Sequence, residues 1–138
     1  MAELSDFNQR VIREFRANQG KVSGQLAHMP VLLLTMTGAR SGRTMTKPLV
    51  YTTDGDRLVV IASFAGAPTH PAWYHNLLAH PEATVEVGSE CFRVKASVTS
   101  GEERQRLFDR QAAQMPIFVE YQQKTSRQIP VLVLTRLD

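Results

Sequence analysis

The sequence predicts an α+β fold: a small barrel of six to seven mainly antiparallel strands with helices at its periphery. Three observations predict it. Short strand-like runs recur over most of the chain, turn signals join several of them directly, and helical patterns do not alternate with every strand. Strands that follow one another through turns pair antiparallel, whereas regular strand–helix alternation would indicate a parallel sheet.

The first segment predicts an amphipathic helix over residues 1–20. Phe7, Val11 and Phe15 recur at helical spacing with arginines between them, Ser5 is a suitable N-cap, and Gly20 ends the pattern. Its cationic face could touch an anionic membrane surface, although such helices more often cover a barrel mouth.

The remaining elements follow from local patterns. A continuous apolar run or an alternating run predicts each strand: residues 31–37, 44–53, 57–64, 83–87, 91–98 and 129–135. Asp54-Gly55-Asp56 is a hairpin turn signal between the second and third. Helices are predicted after Pro71, after the capping box Ser100–Glu103 as far as Gln114, and after Pro116. We expect residues 31–138 to form the barrel core, and residues 1–138 to form a single domain.

The turn TGARSGR, Thr37 to Arg43, carries unusual charge between the first two strands. Gly38 and Gly42 permit positive φ, and such turns aim successive N–H groups at one point. Ser41 adds a hydroxyl donor, while Arg40 and Arg43 add charged donors. The turn therefore predicts an anion site, for a phosphate or carboxylate; the alternative is a solvated hairpin turn. It matches neither a Walker loop nor a dinucleotide fingerprint.

Composition narrows the function classes. The net charge of +3 suits an anionic ligand and is weak evidence for nucleic acid, which we do not expect as a partner. With Cys91 as the single cysteine, no disulfide framework or paired-cysteine zinc motif can form. No metal site is expected either, because the histidines lack ligand spacing: His28, His70, His75 and His80. No long apolar run or leader is visible, which favours a cytoplasmic protein without a membrane span.

Two motifs at their particular separation carry a family resemblance. The segment LLLTMTGARSGRTMTKPLVY, followed by DGDRLVVIAS and AGAPTHPAWYHNLLAHPEATVEV, resembles the deazaflavin-dependent nitroreductase and quinone reductase family. Members are split β-barrel oxidoreductases of the flavin-reductase and FMN-binding type, typical of actinobacteria, that use coenzyme F-420. The resemblance spans Val31 to the C-terminus. It implies hydride transfer from reduced coenzyme F-420 to a small electron-poor acceptor: a quinone, a nitroaromatic or an activated enone.

The resemblance also implies site residues. The basic turn would meet the phosphodiester and the acidic tail of the cofactor. Ser63 and Tyr121 would be the catalytic hydrogen-bond donors, since Phe118 replaces a second pocket tyrosine. The implied cofactor contacts are Ala39, Arg40, Ser41, Gly42, Arg43, Met45, Thr46, Lys47, Pro48, Leu49, Val50, Ile61, Ala62, Ser63, Phe64, Ala72, Trp73, Tyr74, His75 and Asn76. Relatives often carry basic residues where Ala39, Met45 and Phe64 stand.

Three of these positions also have a purely structural interpretation. Trp73 could pack with Leu77 in the core, Ser63 could satisfy a backbone group at a strand end, and Tyr121 could be a boundary aromatic residue. For the whole chain, the alternatives are an FMN- or haem-binding split barrel, a non-catalytic coenzyme F-420 carrier, or a weak nucleic-acid binder. A monomer and a homodimer are both compatible with the sequence.

Overall fold

Antiparallel strands close into a barrel in the computed structural model, which describes residues 2–22 and 29–137. Within those ranges six strands follow the order β1-β2-β3-β6-β5-β4, and β4 pairs with β1 to complete the ring. The predicted antiparallel barrel is therefore confirmed. The strands are β1 Val31–Thr37, β2 Thr44–Asp54, β3 Arg57–Ile61, β4 Glu82–Val87, β5 Glu90–Val98 and β6 Val131–Arg136.

Helices lie at the sides and at one end, as predicted. They are α1 Ala2–Ala17, α2 Ala72–Ala79, α3 Gly101–Gln114 and α4 Ile117–Gln123, with a 3₁₀ turn at Phe64–Gly66. Two details differ from the sequence analysis. Helix α1 already begins at Ala2, so Ser5 is not its N-cap. Helix α3 begins where the capping box places it, but the Ser100 side chain makes no capping hydrogen bond. None of the helices described is long and apolar enough to cross a membrane.

The continuous apolar runs arise because three strands are buried on both faces. Inside the barrel, Leu32 and Leu34 of β1 join a core to which every strand contributes. On the outer face, Leu33 packs under Phe15 of α1, and α3 and α4 cover β3 and β6. Strands β4 and β5 alternate in burial instead, because their outer face meets solvent.

The apolar face of α1 is used within the protein. Ile12 and Phe15 pack against Val31 and Leu33, so the helix covers the side of the barrel rather than its mouth. Arg16 forms a bidentate ion pair with Glu86 of β4. The apolar stripe therefore seats α1 on the barrel, and only its exposed polar face is available to other partners.

Strand β2 divides its pairing between two neighbours. Residues 44–50 pair with β1, and residues 51–54 pair with β3. Because N–H and C=O groups alternate in direction along an antiparallel strand, Thr46, Pro48 and Val50 direct theirs away from β1. Proline suits such an edge because it has no N–H to leave unpaired. Strand β3 is in register with this edge only from residue 51 onward, and we call the stretch of it over residues 44–50, which has no described strand beside it, the open edge.

Four segments lie at the barrel end where the open edge of β2 begins. Strand β1 ends there and β2 begins there, while β3 ends beside the start of β6. Helix α2 precedes β4 at this end. We define the barrel mouth as residues 38–43, residues 62–71, α2 and residues 124–130. Segments distant in sequence are thereby gathered around one opening.

Candidate active site

The basic turn is tight for two different reasons. Gly42 has φ 71, as expected for a left-handed turn position that favours glycine. Gly38 does not have positive φ, so that part of the prediction is wrong. A Cβ at Gly38 would lie 2.6 Å from Ser41 Oγ and 3.1 Å from Met45 Cε. A larger residue at position 38 would therefore require the Ser41 and Met45 side chains to shift.

Most backbone N–H groups of the turn are bonded inside the protein. Gly38 N donates to Arg43 O at 2.8 Å, Gly42 N donates to Gly38 O at 3.1 Å, and Arg43 N donates to Ser41 Oγ at 3.2 Å. Ala39 N donates to a side chain of α2. The expected nest is thus reduced to the N–H groups of Arg40 and Ser41.

The two arginine side chains of the turn remain exposed. No described carboxylate forms an ion pair with Arg40 or Arg43, whereas Arg16, Arg57, Arg93, Arg106, Arg110 and Arg136 all have acidic partners. Placing uncompensated cations beside free N–H groups creates a positive potential at the turn. This arrangement can bind an anion, as the sequence predicts.

Asn76 fixes the turn to α2. Its Oδ1 accepts the hydrogen bond from Ala39 N at 2.9 Å, and its side chain is only 7% exposed. Between turn and helix lies an open cleft of about 340 Å³, lined by Gly38, Ala39, Arg40, Ser41, Met45, Ala72, His75 and Asn76. Seven of these eight residues belong to the implied cofactor set, so the structure brings the turn and the first part of α2 together.

Trp73 lies mainly in the barrel core. It is 9% exposed and belongs with Leu77 to the interior cluster, as the core alternative expected. Tyr74 packs partly against the same cluster. Helix α2 therefore closes the barrel end with one face and offers Asn76 and His75 to the cleft with another.

Ser63 follows the end of β3 rather than belonging to it, because that strand ends at Ile61. Its side chain is buried, and the next two residues are left-handed: Phe64 has φ 48 and Ala65 has φ 53. Such conformations are costly for residues other than glycine and persist only where the surroundings enforce them. Phe64 is exposed, which is compatible with a position at the rim of a pocket.

Tyr121 lies beside this segment. A Cβ on Gly66 would approach Tyr121 O to 2.7 Å, so the 3₁₀ turn sits directly on α4. The Tyr121 ring meets the buried Phe118 ring edge-on at 5.7 Å, and its hydroxyl bonds no other described residue. Ser63 and Tyr121 thus flank the same 3₁₀ turn, and the Tyr121 hydroxyl is available as a donor.

Two histidines meet at the mouth despite their spacing. The rings of His70 and His75 are 5.9 Å apart, because His70 belongs to the loop before α2 rather than to the helix. His70 packs on Tyr74 at 4.7 Å. Burial, Arg127 and His75 together lower the pKa of His70 below its usual value. In the part of the chain that is described, no three metal-ligating side chains cluster; His28 lies outside that part.

No pattern in the sequence indicates a role for Arg127. Its guanidinium contacts Ala62 O, Ser63 O, Ala67 O and His70 Nδ1. The segment SRQ before the last strand reads as an ordinary polar loop, and no spacing rule links it to residues 62–70. Only the position of an arginine just before a buried strand could have suggested a role.

Comparison with known proteins gives a consistent result. Residues 8–136 match the family model described as F420H(2)-dependent quinone reductase. The chain is 35% identical over 128 residues to an F420H(2)-dependent quinone reductase of Mycobacterium tuberculosis, covering 88% of this chain and 85% of the relative.

Solved structures agree with that match. A structure described as an F420-H2 dependent reductase has 36% identity and a TM-score of 0.71, covering 76% of this chain and 93% of that one. Another, described as a domain-swapped dimer, has 33% identity and a TM-score of 0.72, covering 94% and 98%. The haem storage protein HutZ of Vibrio cholerae shares the fold alone, with 14% identity, a TM-score of 0.62, and coverage of 92% and 88%.

The bond between Asn76 and the turn generates a stability prediction. Asn76→Ala leaves Ala39 N without its acceptor, which should lower the free energy of unfolding by about 1–3 kcal/mol. Chemical denaturation measures this loss. Leu78→Ala, on the exposed side of the same helix, is the matched control and should change stability by less than about 0.5 kcal/mol. Equal effects for the two variants would show that the bond contributes nothing specific.

Proposed function

Because this chain belongs to the F420H(2)-dependent quinone reductase family, we propose that its barrel mouth binds reduced coenzyme F-420 and passes a hydride from it to a quinone. Family membership makes the chain an F-420-dependent oxidoreductase with a small-molecule acceptor and confirms the resemblance drawn from its two motifs. Quinones are the acceptor class proposed here. Nitroaromatics and activated enones share the same electron-poor chemistry and are secondary candidates.

One observation supports this placement above the others. The unpaired cations Arg40 and Arg43, the open edge of β2 and the Ser63 segment lie at one barrel end. The two arginines suit the acidic tail of the cofactor. The open edge suits a planar ring with polar edges, because exposed backbone groups can form hydrogen bonds with the ring. The chain's own donors therefore fit the cofactor that its family uses.

We assign the cofactor contacts by segment. Arg40, Ser41 and Arg43 would hold the anionic tail, with Asn76 positioning their turn. The open edge, through Thr46 and Val50, would hold the ring by backbone groups. The remaining residues of the implied set would line the site; within it Trp73 acts from the core by closing the barrel against water.

The bound cofactor supplies a two-electron hydride at C5 of its ring, and the protein supplies orientation and charge stabilisation. Negative charge develops on the acceptor oxygen as the hydride arrives. A hydroxyl that donates to this oxygen stabilises the charge and then supplies the proton. Tyr121 is the proposed donor because its hydroxyl bonds no other described residue. Ser63, on the other side of the 3₁₀ turn, would contact the cofactor ring on the side where the acceptor binds.

Location and assembly follow from the same proposal. We propose a cytoplasmic location, where the exposed Arg10 and Arg13 of α1 would bring the protein to the anionic inner surface of the cell membrane. We propose a homodimer as the assembled form, since one close structural neighbour is described as a domain-swapped dimer. A single domain over residues 1–138 remains the proposed organisation.

Charge removal at the turn tests the cofactor site. The Arg40→Ala/Arg43→Ala variant should bind coenzyme F-420 at least about tenfold more weakly, since each exposed arginine–anion contact contributes roughly 1–2 kcal/mol. The difference should shrink at high salt, because exposed pairs are screened. Isothermal titration calorimetry measures both effects.

A charge-matched control makes that titration specific. Arg10→Ala/Arg13→Ala removes the same charge from α1 and should leave the dissociation constant unchanged. FMN should bind the unaltered protein more weakly than coenzyme F-420. The anion-site assignment fails if both double variants bind alike, and equal or tighter FMN binding would favour the FMN alternative.

Tyr121→Phe tests the proposed proton donor. It should lower kcat/KM by about ten- to a hundredfold with a quinone, because the lost hydrogen bond strengthens only as charge develops. Steady-state kinetics and a cofactor titration on the same variant make the measurement. Unchanged activity with both a quinone and a nitroaromatic would show that Tyr121 is structural, and loss of cofactor binding would show that it lies elsewhere in the site.

A further inference from the structure

Arg127 is bonded to one loop through nearly its whole guanidinium group. Its Nε donates to Ala67 O at 2.9 Å, its Nη2 donates to Ser63 O at 2.6 Å, and its Nη1 donates to Ala62 O at 3.2 Å and contacts His70 Nδ1 at 2.9 Å. Four of its five N–H groups are thereby used. All four acceptors come from the segment between β3 and α2.

The charge of Arg127 has no acidic partner. No carboxylate in the described part of the chain forms an ion pair with it, and partial burial lowers its pKa from the usual range. A half-buried cation without an acidic partner costs free energy unless its hydrogen bonds compensate for the lost hydration. Here the hydrogen bonds fix the conformation of the loop, because Ser63 lies immediately before the left-handed residues Phe64 and Ala65, and Ala67 lies two residues after them.

We propose that Arg127 is a positioning residue for hydride transfer. It holds the Phe64–Gly66 turn in its left-handed conformation and so fixes the positions of Ser63 and of α4, which carries Tyr121, at the mouth. The inference rests on the proposed function, since the roles of Ser63 and Tyr121 belong to it. Lysine could keep the charge of Arg127, but one ammonium cannot span four acceptors arranged around a planar fork.

His70 makes this clamp sensitive to pH. The contact with Arg127 requires an unprotonated Nδ1, because two donors cannot bond each other. The charged and titratable groups facing His70 are Arg127 from the 124–130 segment, and Tyr74 and His75 from α2. None is a carboxylate that would stabilise the imidazolium. Burial, Arg127 and His75 hold the pKa of His70 below the usual imidazole value, so the neutral form predominates above that lowered pKa, and protonation below it removes one of the four contacts.

Kinetics of Arg127→Lys test the proposal. We expect kcat with a quinone to fall about ten- to a hundredfold, since a small misplacement of reacting groups is enough for such a loss. The dissociation constant of coenzyme F-420 should change less than about threefold, because the basic turn is held separately by Asn76. Adding Ala65→Gly should restore several-fold of kcat, because glycine adopts positive φ without cost.

Arg104→Lys is the matched control. Arg104 is also buried and donates twice to Ile129 O, in the segment before β6, but it does not contact residues 62–70. It should lose stability without the selective loss of kcat. Equal kcat losses in the two lysine variants, or no rescue by Ala65→Gly, would overturn the positioning role. Failure of the unaltered protein to bind coenzyme F-420 would instead overturn the proposed function.

A pH profile provides a second test that does not depend on Arg127 variants folding. In the unaltered protein, kcat should fall as pH drops through the His70 pKa. His70→Asn keeps an acceptor that does not titrate, so the fall in kcat at low pH should disappear. His80→Asn, at the exposed end of α2, should keep that fall. Identical acid limbs in the unaltered protein and His70→Asn would contradict the coupling between His70 and Arg127.

Discussion

The site depends on the divided pairing of β2. Its first part is in register with β1 and its last part with β3, so the backbone groups of Thr46, Pro48 and Val50 point away from β1 with no described strand in register beside them. A fully paired strand would have no such groups to offer. The same geometry puts the basic turn at the head of the open edge and the end of β3 across from it. A polar ring and its charged tail can therefore be bound by one continuous stretch of chain.

Two side chains hold other segments of the mouth in place, each by hydrogen bonds to backbone groups. Asn76 holds the basic turn from α2, and Arg127 holds the loop after β3 from the segment before β6. The barrel core stays apolar beneath them, with Trp73 and Leu77 closing its end. Tail binding and ring orientation are thus supported by different residues, which is why their variants should separate affinity from turnover.

Local patterns were enough to predict the elements and the barrel. The runs VLLL, LVVI and VLVL identify strands, and their lack of alternation is explained by helices on the outer face of β1, β3 and β6. The cluster of the turn with α2 came from the resemblance, since no rule of spacing joins Ala39 to Asn76. The role of Gly38 and the contacts of Arg127 could not be predicted, because both depend on which atoms approach after folding. Spacing likewise did not indicate the contact between His70 and His75, because His70 lies in the loop before α2.

The central claim is that the open edge of β2 holds the cofactor ring, and amide hydrogen exchange tests it residue by residue. Thr46 and Val50 direct their N–H groups to the open edge, whereas Lys47 and Leu49 on the same strand direct theirs to β1. On saturation with coenzyme F-420, exchange at Thr46 and Val50 should slow by at least about tenfold, while exchange at Lys47 and Leu49 should change little. Unchanged exchange at Thr46 and Val50 in the saturated protein would contradict the account.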